Sequence, residues 1–239
     1  MPDTPLPLPP PLERRSFLTR LGAGAAAFST ALGLGAREGS AQGAPQPARW
    51  QPARHPQDDW FDQVPGKHRF FFDATSPNGA GEAITFATNY YLANKAGYGL
   101  DARELAVVIC LRHWATAFAF NDAIWGNYGV HLAERIRFTD PKTQAAPKTN
   151  VYLDDSYGMQ LPNRGTTLDD MIARGTHFAI CGLATRAFAG IIATKVGATP
   201  DEIFAELNAG LIANSHMTAA GIVAVNRAQE RGYSLQYIG

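Results

Sequence analysis

The sequence predicts an α/β fold, a mostly parallel sheet of about five strands with helices on both faces. Two observations carry this. Leu105–Leu111 (LAVVICL) is an unbroken apolar run rich in β-branched residues, as in a central parallel strand covered on both faces. From residue 69 to residue 239, strand-like and helix-like segments then alternate about five times.

In chain order, Arg69-Phe70-Phe71-Phe72-Asp73 reads as a buried strand that ends at a polar, glycine-containing loop over 74–81. Residues 82–95 carry apolar positions at helical spacing, stopped by Gly97 and Gly99. After the LAVVICL strand, a helix is expected over 118–135. Residues 139–166 form a long polar connection with Pro141, Pro147 and Pro162, a length usually kept for function or mobility. Thr167-Leu168-Asp169-Asp170 caps a short helix ending at Gly175. His177–Cys181 (HFAIC) is a third strand with a helix behind it over Leu183–Val196. A further helix follows Pro200 over Asp201–Asn208. A brief strand at Leu211–Ala213, a helix over Met217–Arg231 closed by Gly232, and a last strand over Tyr233–Ile238 complete the order.

The first 66 of the 239 residues read differently from the rest. After a proline-rich start, Arg14-Arg15-Ser16-Phe17-Leu18 precedes an uncharged run from Leu21 to Ala36 and small residues at Gly39 and Ala41. This is the layout of a secretory signal, and the arginine pair gives it twin-arginine character, although Glu13 and Thr19 stand where that pattern has other residues. An ordinary basic region before a general secretory signal is the alternative. Residues 1–41 are thus expected to be an export signal to the periplasm and residues 42–66, with five prolines, a tether. Residues 67–239 form the α/β domain. Trp50, Trp60 and Phe61 are apolar enough to pack on a surface despite lying in the tether. No later stretch is long and apolar enough to span a membrane.

Charge excludes one class of partner. The chain has 21 basic and 21 acidic residues, and removing residues 1–41 leaves 17 and 18. Nucleic-acid binding requires a basic excess that this balance does not provide. Two cysteines rule out a disulfide-dense scaffold and a four-cysteine zinc site. No phosphate-cradling glycine loop, hydrolase elbow or tight metal-ligand pair is present, and no cofactor is implied.

In open parallel sheets, chemistry gathers beyond the carboxyl ends of the strands. Cys181 ends the HFAIC strand immediately before Gly182 and a helix, so its thiol faces backbone N–H groups and the positive end of the helix dipole, which favour a thiolate. A buried, inert thiol is the competing reading. Arg186 adds positive charge if its side chain turns back. Arg112 and His113 end the LAVVICL strand and are candidates for holding an anion and moving a proton, or for pairing with loop groups. Asn121 and His216 are candidates for the same rim. Cys110 lies inside its strand and is expected to be structural. A Cys110–Cys181 bridge is open but disfavoured, since cysteines on separate buried strands rarely meet disulfide geometry.

The segments Gly175-Thr176-His177-Phe178-Ala179-Ile180-Cys181-Gly182, Gly190-Ile191, Thr218-Ala219-Ala220-Gly221-Ile222-Val223 and Ala228-Gln229-Glu230-Arg231-Gly232-Tyr233 resemble the DsrE/DsrF-like family of sulfur-relay proteins. The resemblance spans residues 67–239 and implies a flavodoxin-like sheet and a homo-oligomer, a trimer or a hexamer. It also implies a persulfide-carrying cysteine at the position of Cys181, served by sulfur donor and acceptor proteins. The export signal and the 139–166 insertion depart from the compact cytoplasmic members. Arg112-His113 and Phe118-x-Phe120-Asn121-Asp122 look like an exported subgroup. The expected function is therefore periplasmic sulfur handling through Cys181. The alternative is a non-catalytic oligomeric binding or accessory protein that holds a soft metal or small anion in the same crevice.

Overall fold

A computed structural model describes residues 50–239, and the expected export signal and the first part of the tether lie outside them. Five strands, β1 (His68–Ala74), β2 (Leu105–Leu111), β3 (His177–Cys181), β4 (Ser215–Thr218) and β5 (Ser234–Ile238), form one sheet. All are parallel, in the order β4-β3-β2-β1-β5. This is the predicted α/β class, with every residue of β2 buried.

The strand order dictates the layering. From β1 to β4 each crossover steps one strand in the same direction. Right-handed connection then places α2 (Pro77–Tyr98), α3 (Asp122–Ile136), α4 (Leu168–Ala173), α5 (Gly182–Val196) and α6 (Pro200–Ala209) on one side. The last crossover passes back over β3, β2 and β1, which sends α7 (Gly221–Gln229) to the other side. Burial follows the two-residue strand period. Phe72, Ile109, Phe178 and Ile180 face the thicker layer with Ile84, Trp125 and Phe188. Phe71, Val108, Cys110 and Ala179 face the thinner one with Ala224, Val225 and Ala228.

Several boundaries differ from the expected ones for identifiable reasons. Helix α2 begins at Pro77, inside the segment expected to be a loop, because Ser76 accepts the Gly79 N–H as N-cap. The helix expected over 118–135 is split. His113–Ala119 forms a 3-10 turn, and Asn121 then caps α3. Leu211 makes only an isolated bridge to Phe120, and the fourth strand is Ser215–Thr218 instead. Met217 lies in that strand, so the following helix starts only at Gly221.

The 139–166 connection is pinned along its length. Asn150 donates to the carbonyls of Phe118 and Phe120 at 2.9 and 2.8 Å. Tyr152, fully buried, donates to Pro77 O at 2.8 Å, and Tyr157 donates to Asp140 at 2.9 Å. Of the expected tether, Pro56–Asp58 forms a 3-10 turn and Trp60–Gln63 a single helical turn, α1. Phe61 and Val64 are buried beneath it in the thinner core layer. Packing against the sheet thus reaches back to Asp58 and Phe61, within the segment expected to be a tether. Among the described residues, no helix is long and apolar enough to cross a membrane.

Candidate functional site

The helix following β3 lies on the thicker side and the helix following β4 on the thinner side, so a crevice opens between the carboxyl ends of these two strands. Cys181 ends β3 and is the N-cap residue of α5. In register it pairs with Thr218, so both side chains share the thinner face. Cys181 is 8% exposed, and no side-chain capping bond occupies its thiol. Its carbonyl accepts from Thr185 Oγ1 at 3.0 Å, and Thr218 Oγ1 donates to Ile180 O at 2.9 Å, which locks the strand end. Gly182 permits this close join, since a Cβ there would stand 2.5 Å from Thr218 O. Beside the join lies a cavity of about 330 Å³, lined among others by Asp58, Gly182, Arg186, Phe204, Met217 and Thr218.

On the same face behind Cys181 sits Cys110. It is fully buried, and its thiol donates weakly to Gly221 O at 3.9 Å. Burial, then Asp73, then Cys181 push the Cys110 thiol well above its ordinary range, so it stays protonated. Both cysteines are free. Cys110 pairs in register with Ala179, which sets Cys181 two positions further along the neighbouring strand. Such an offset exceeds the reach of a disulfide, about 7 Å between Cα atoms.

Arg112 comes to this face as well, one position beyond β2, but not as a free cation. Its Nε and Nη2 donate to the two carboxylate oxygens of Asp73 at 2.6 and 2.9 Å. Asp73, the penultimate residue of β1, is buried and holds the guanidinium well charged. Gly221, at the start of α7, lies against the Arg112 stem so closely that a Cβ would meet Arg112 Cβ at 2.4 Å. The pair thus orients a helix end and neutralises charge under the crevice.

The other expected residues fall elsewhere. His113 is exposed, adopts a left-handed backbone (φ 56°) and stacks on Trp114 at 5.0 Å. Asn121 serves as the α3 N-cap, accepting from Ile124 N at 3.2 Å. Arg186 lines the cavity but engages Phe204, with its guanidinium 4.2 Å from the ring centre, and Asp201 at 3.8 Å, rather than turning onto the thiol. His216 belongs to β4. Its Nε2 is 2.9 Å from His177 Nδ1, and its ring stacks on Trp60 at 3.9 Å with an interplanar angle of 3°. Burial, with His177 adding to it, pushes His216 down to about 4, and burial also lowers His177. At neutral pH the pair is therefore uncharged.

Sequence reasoning missed Asp73 and His177, the partners that decide what Arg112 and His216 can do. The one signal for Asp73 was an acid closing an otherwise apolar strand. Among the described residues, no group of three or more His, Cys, Asp or Glu side chains is placed to hold a metal ion. Comparison with protein-family models, with curated proteins and with solved structures gives no match, so the likeness to DsrE/DsrF-like proteins rests on the sequence segments quoted above.

Proposed function

We propose that the protein is a sulfur carrier in which Cys181 accepts sulfane sulfur as a persulfide. The observation that carries this reading is the position of Cys181 at the N-cap of α5, beside the β3–β4 crevice and its cavity. The backbone N–H groups of the first turn of α5 supply the positive field for a thiolate and for the terminal persulfide sulfur. Cys110, buried and held protonated, does not compete. Arg112 contributes by fixing the Asp73 carboxylate and the start of α7, not by offering a free positive charge to the anion.

The step is an exchange at sulfur. The Cys181 thiolate attacks a sulfur of a polysulfide dianion, the new S–S bond forms as a polysulfide S–S bond breaks, and the shortened polysulfide leaves with the electron pair. No external oxidant is needed. With the signal read at residues 1–41, the donor and acceptor would be periplasmic thiol or persulfide proteins, and the carrier itself a homo-oligomer.

Intact-mass and peptide mapping of the reduced, folded protein after exposure to polysulfide tests this. The expected result is additions of about 32 Da on Cys181, abolished in Cys181→Ser and retained in Cys110→Ser. Absence of any addition on a folded sample, or addition at Cys110 alone, overturns the proposal and leaves the crevice as a binding site without thiol chemistry.

A further inference from the structure

We propose that Pro56–Gln63 is a hinged strap that closes the Cys181 crevice and must lift to admit a sulfur donor. A single helical turn has no stability of its own, because nucleation costs more than one turn returns. Helix α1 therefore exists only through its docking, and its anchors can be named. Phe61 is fully buried against Phe71 and Tyr233. Its carbonyl accepts from Tyr233 Oη at 2.7 Å and from Arg69 Nη1 at 2.9 Å. Trp60 lies flat on His216, at the edge strand β4. Three aspartates face two arginines next to or at the end of α7. Asp58 is 3.5 Å from Arg227, while Asp62 and Asp59 are 3.2 and 3.8 Å from Arg231.

The strap also reaches the crevice. Gln57 and Asp58 line the cavity whose other walls include Gly182 and Thr218, the residues flanking Cys181 in sequence and in register. Lifting the strap removes one wall of that cavity.

The seam is held but imperfectly satisfied, as a releasable contact requires. Trp60 Nε1 is buried there without a hydrogen-bond partner, and Arg227 Nε and Arg231 Nη2 meet Asp58 and Asp59 only at ion-pair distance, not in hydrogen bonds. The unpartnered indole N–H lowers the advantage of the closed state. The anchors are also uneven. The Phe61 end is apolar and doubly hydrogen-bonded, whereas the Asp58 end is held by a 3.5 Å ion pair, so opening starts at the crevice and hinges at Phe61. The use of this gate rests on Cys181 being the reacting thiol, but the gate itself does not.

The test is iodoacetamide labelling of the full chain, read by peptide mass spectrometry at each cysteine. Wild type should label slowly at Cys181. Trp60→Ala should raise that rate about tenfold, the change expected for loss of about 1.4 kcal/mol of docking. Cys110 should stay unlabelled, which reports that the fold is intact. Where Trp60→Ala exposes Cys110 as well, wild type in high salt decides, since screening of the aspartate–arginine seam should speed Cys181 alone. Labelling of wild-type Cys181 at the rate of a free thiol, or a rate unmoved by both perturbations, overturns the strap. Faster labelling without persulfide formation would refute the carrier and leave the gate standing. Persulfide forming equally fast with and without Trp60 would do the reverse.

Discussion

Breaking the Asp73–Arg112 pair from its two sides should give unequal costs. The Asp73 side chain is 4% exposed and that of Arg112 22%, so the carboxylate is sealed while the guanidinium keeps a path to water. Removing one partner of a buried pair costs about 3–5 kcal/mol, mostly as the penalty for the charge left behind. Arg112→Met strands the sealed carboxylate and should fall in that range. Asp73→Asn strands a guanidinium that can rehydrate and keeps an acceptor oxygen beside it, so its cost should be about 1–3 kcal/mol. Urea is the denaturant of choice because it does not screen charge. With a slope of about 2 kcal/mol per molar, the midpoint should move down by about 1.5–2.5 M for Arg112→Met and about 0.5–1.5 M for Asp73→Asn. The double variant should cost about 2 kcal/mol less than the sum of the singles, since neither charge is then left alone. Equal single costs, or additivity within about 0.5 kcal/mol, would refute the bidentate buried pair and with it the claim that Arg112 brings no free charge to the crevice.

The His177–His216 pair should make stability fall in mild acid. Both rings are held neutral in the fold, His216 down to about 4, while the unfolded chain protonates near 6.5. Between those values the unfolded state binds more protons, so the contribution is complete above pH 6.5 and is lost as pH drops towards 4. For a sealed ring this would be worth about 3 kcal/mol, and solvent screening of a half-buried one reduces it to on the order of 1–2 kcal/mol. Urea midpoints at neutral pH and near the lower value should show the loss in wild type and much less of it in His216→Gln. An unchanged difference in His216→Gln would assign the acid sensitivity elsewhere. Gly129→Ala should destabilise the protein by about 1–3 kcal/mol despite the better helix propensity of alanine, because a Cβ there would lie 2.1 Å from Pro147 O. A thermal midpoint equal to or above wild type would show that the 139–166 segment is not pinned against α3.

What could be read from sequence was whatever is decided locally. Strand β2 declares itself because seven consecutive apolar residues admit few other readings, and β3 and α5 follow from an apolar run, a cysteine-glycine junction and helical spacing. Strand β4 is Ser-His-Met-Thr, with no alternation to detect, because it is an edge strand whose cover, Trp60, arrives from the far end of the unit. The same distinction divides the candidate site. Cys181 at a strand end is a local fact. The neutralisation of Arg112 by Asp73, and the burial of His216 beside His177, depend on strand register, which brings together residues far apart in the chain. The prolines around α1 point to a tether and its aromatic residues to a docked segment, and the aromatic signal carries further, since Phe61, Trp60 and the aspartates dock on the sheet and near α7.

The uneven layering explains why thiol chemistry and motion would share one face. Helices α2, α3 and α5 together with the pinned 139–166 segment cover the thicker side, and opening there would expose the larger apolar cluster at a correspondingly large cost. The opposite side is covered by the nine-residue α7 and by the strap, over a much smaller cluster. Local opening scales with the apolar contact that must be given up, so the lowest-energy opening of this fold lies on the thin side. Cys110 and Cys181 both point to that side because the two-residue period of β2 and β3 puts them there. Cys110 is sealed behind the α7 start, which leaves Cys181, next to the cavity residues Gly182 in sequence and Thr218 in register, as the thiol that such an opening would uncover.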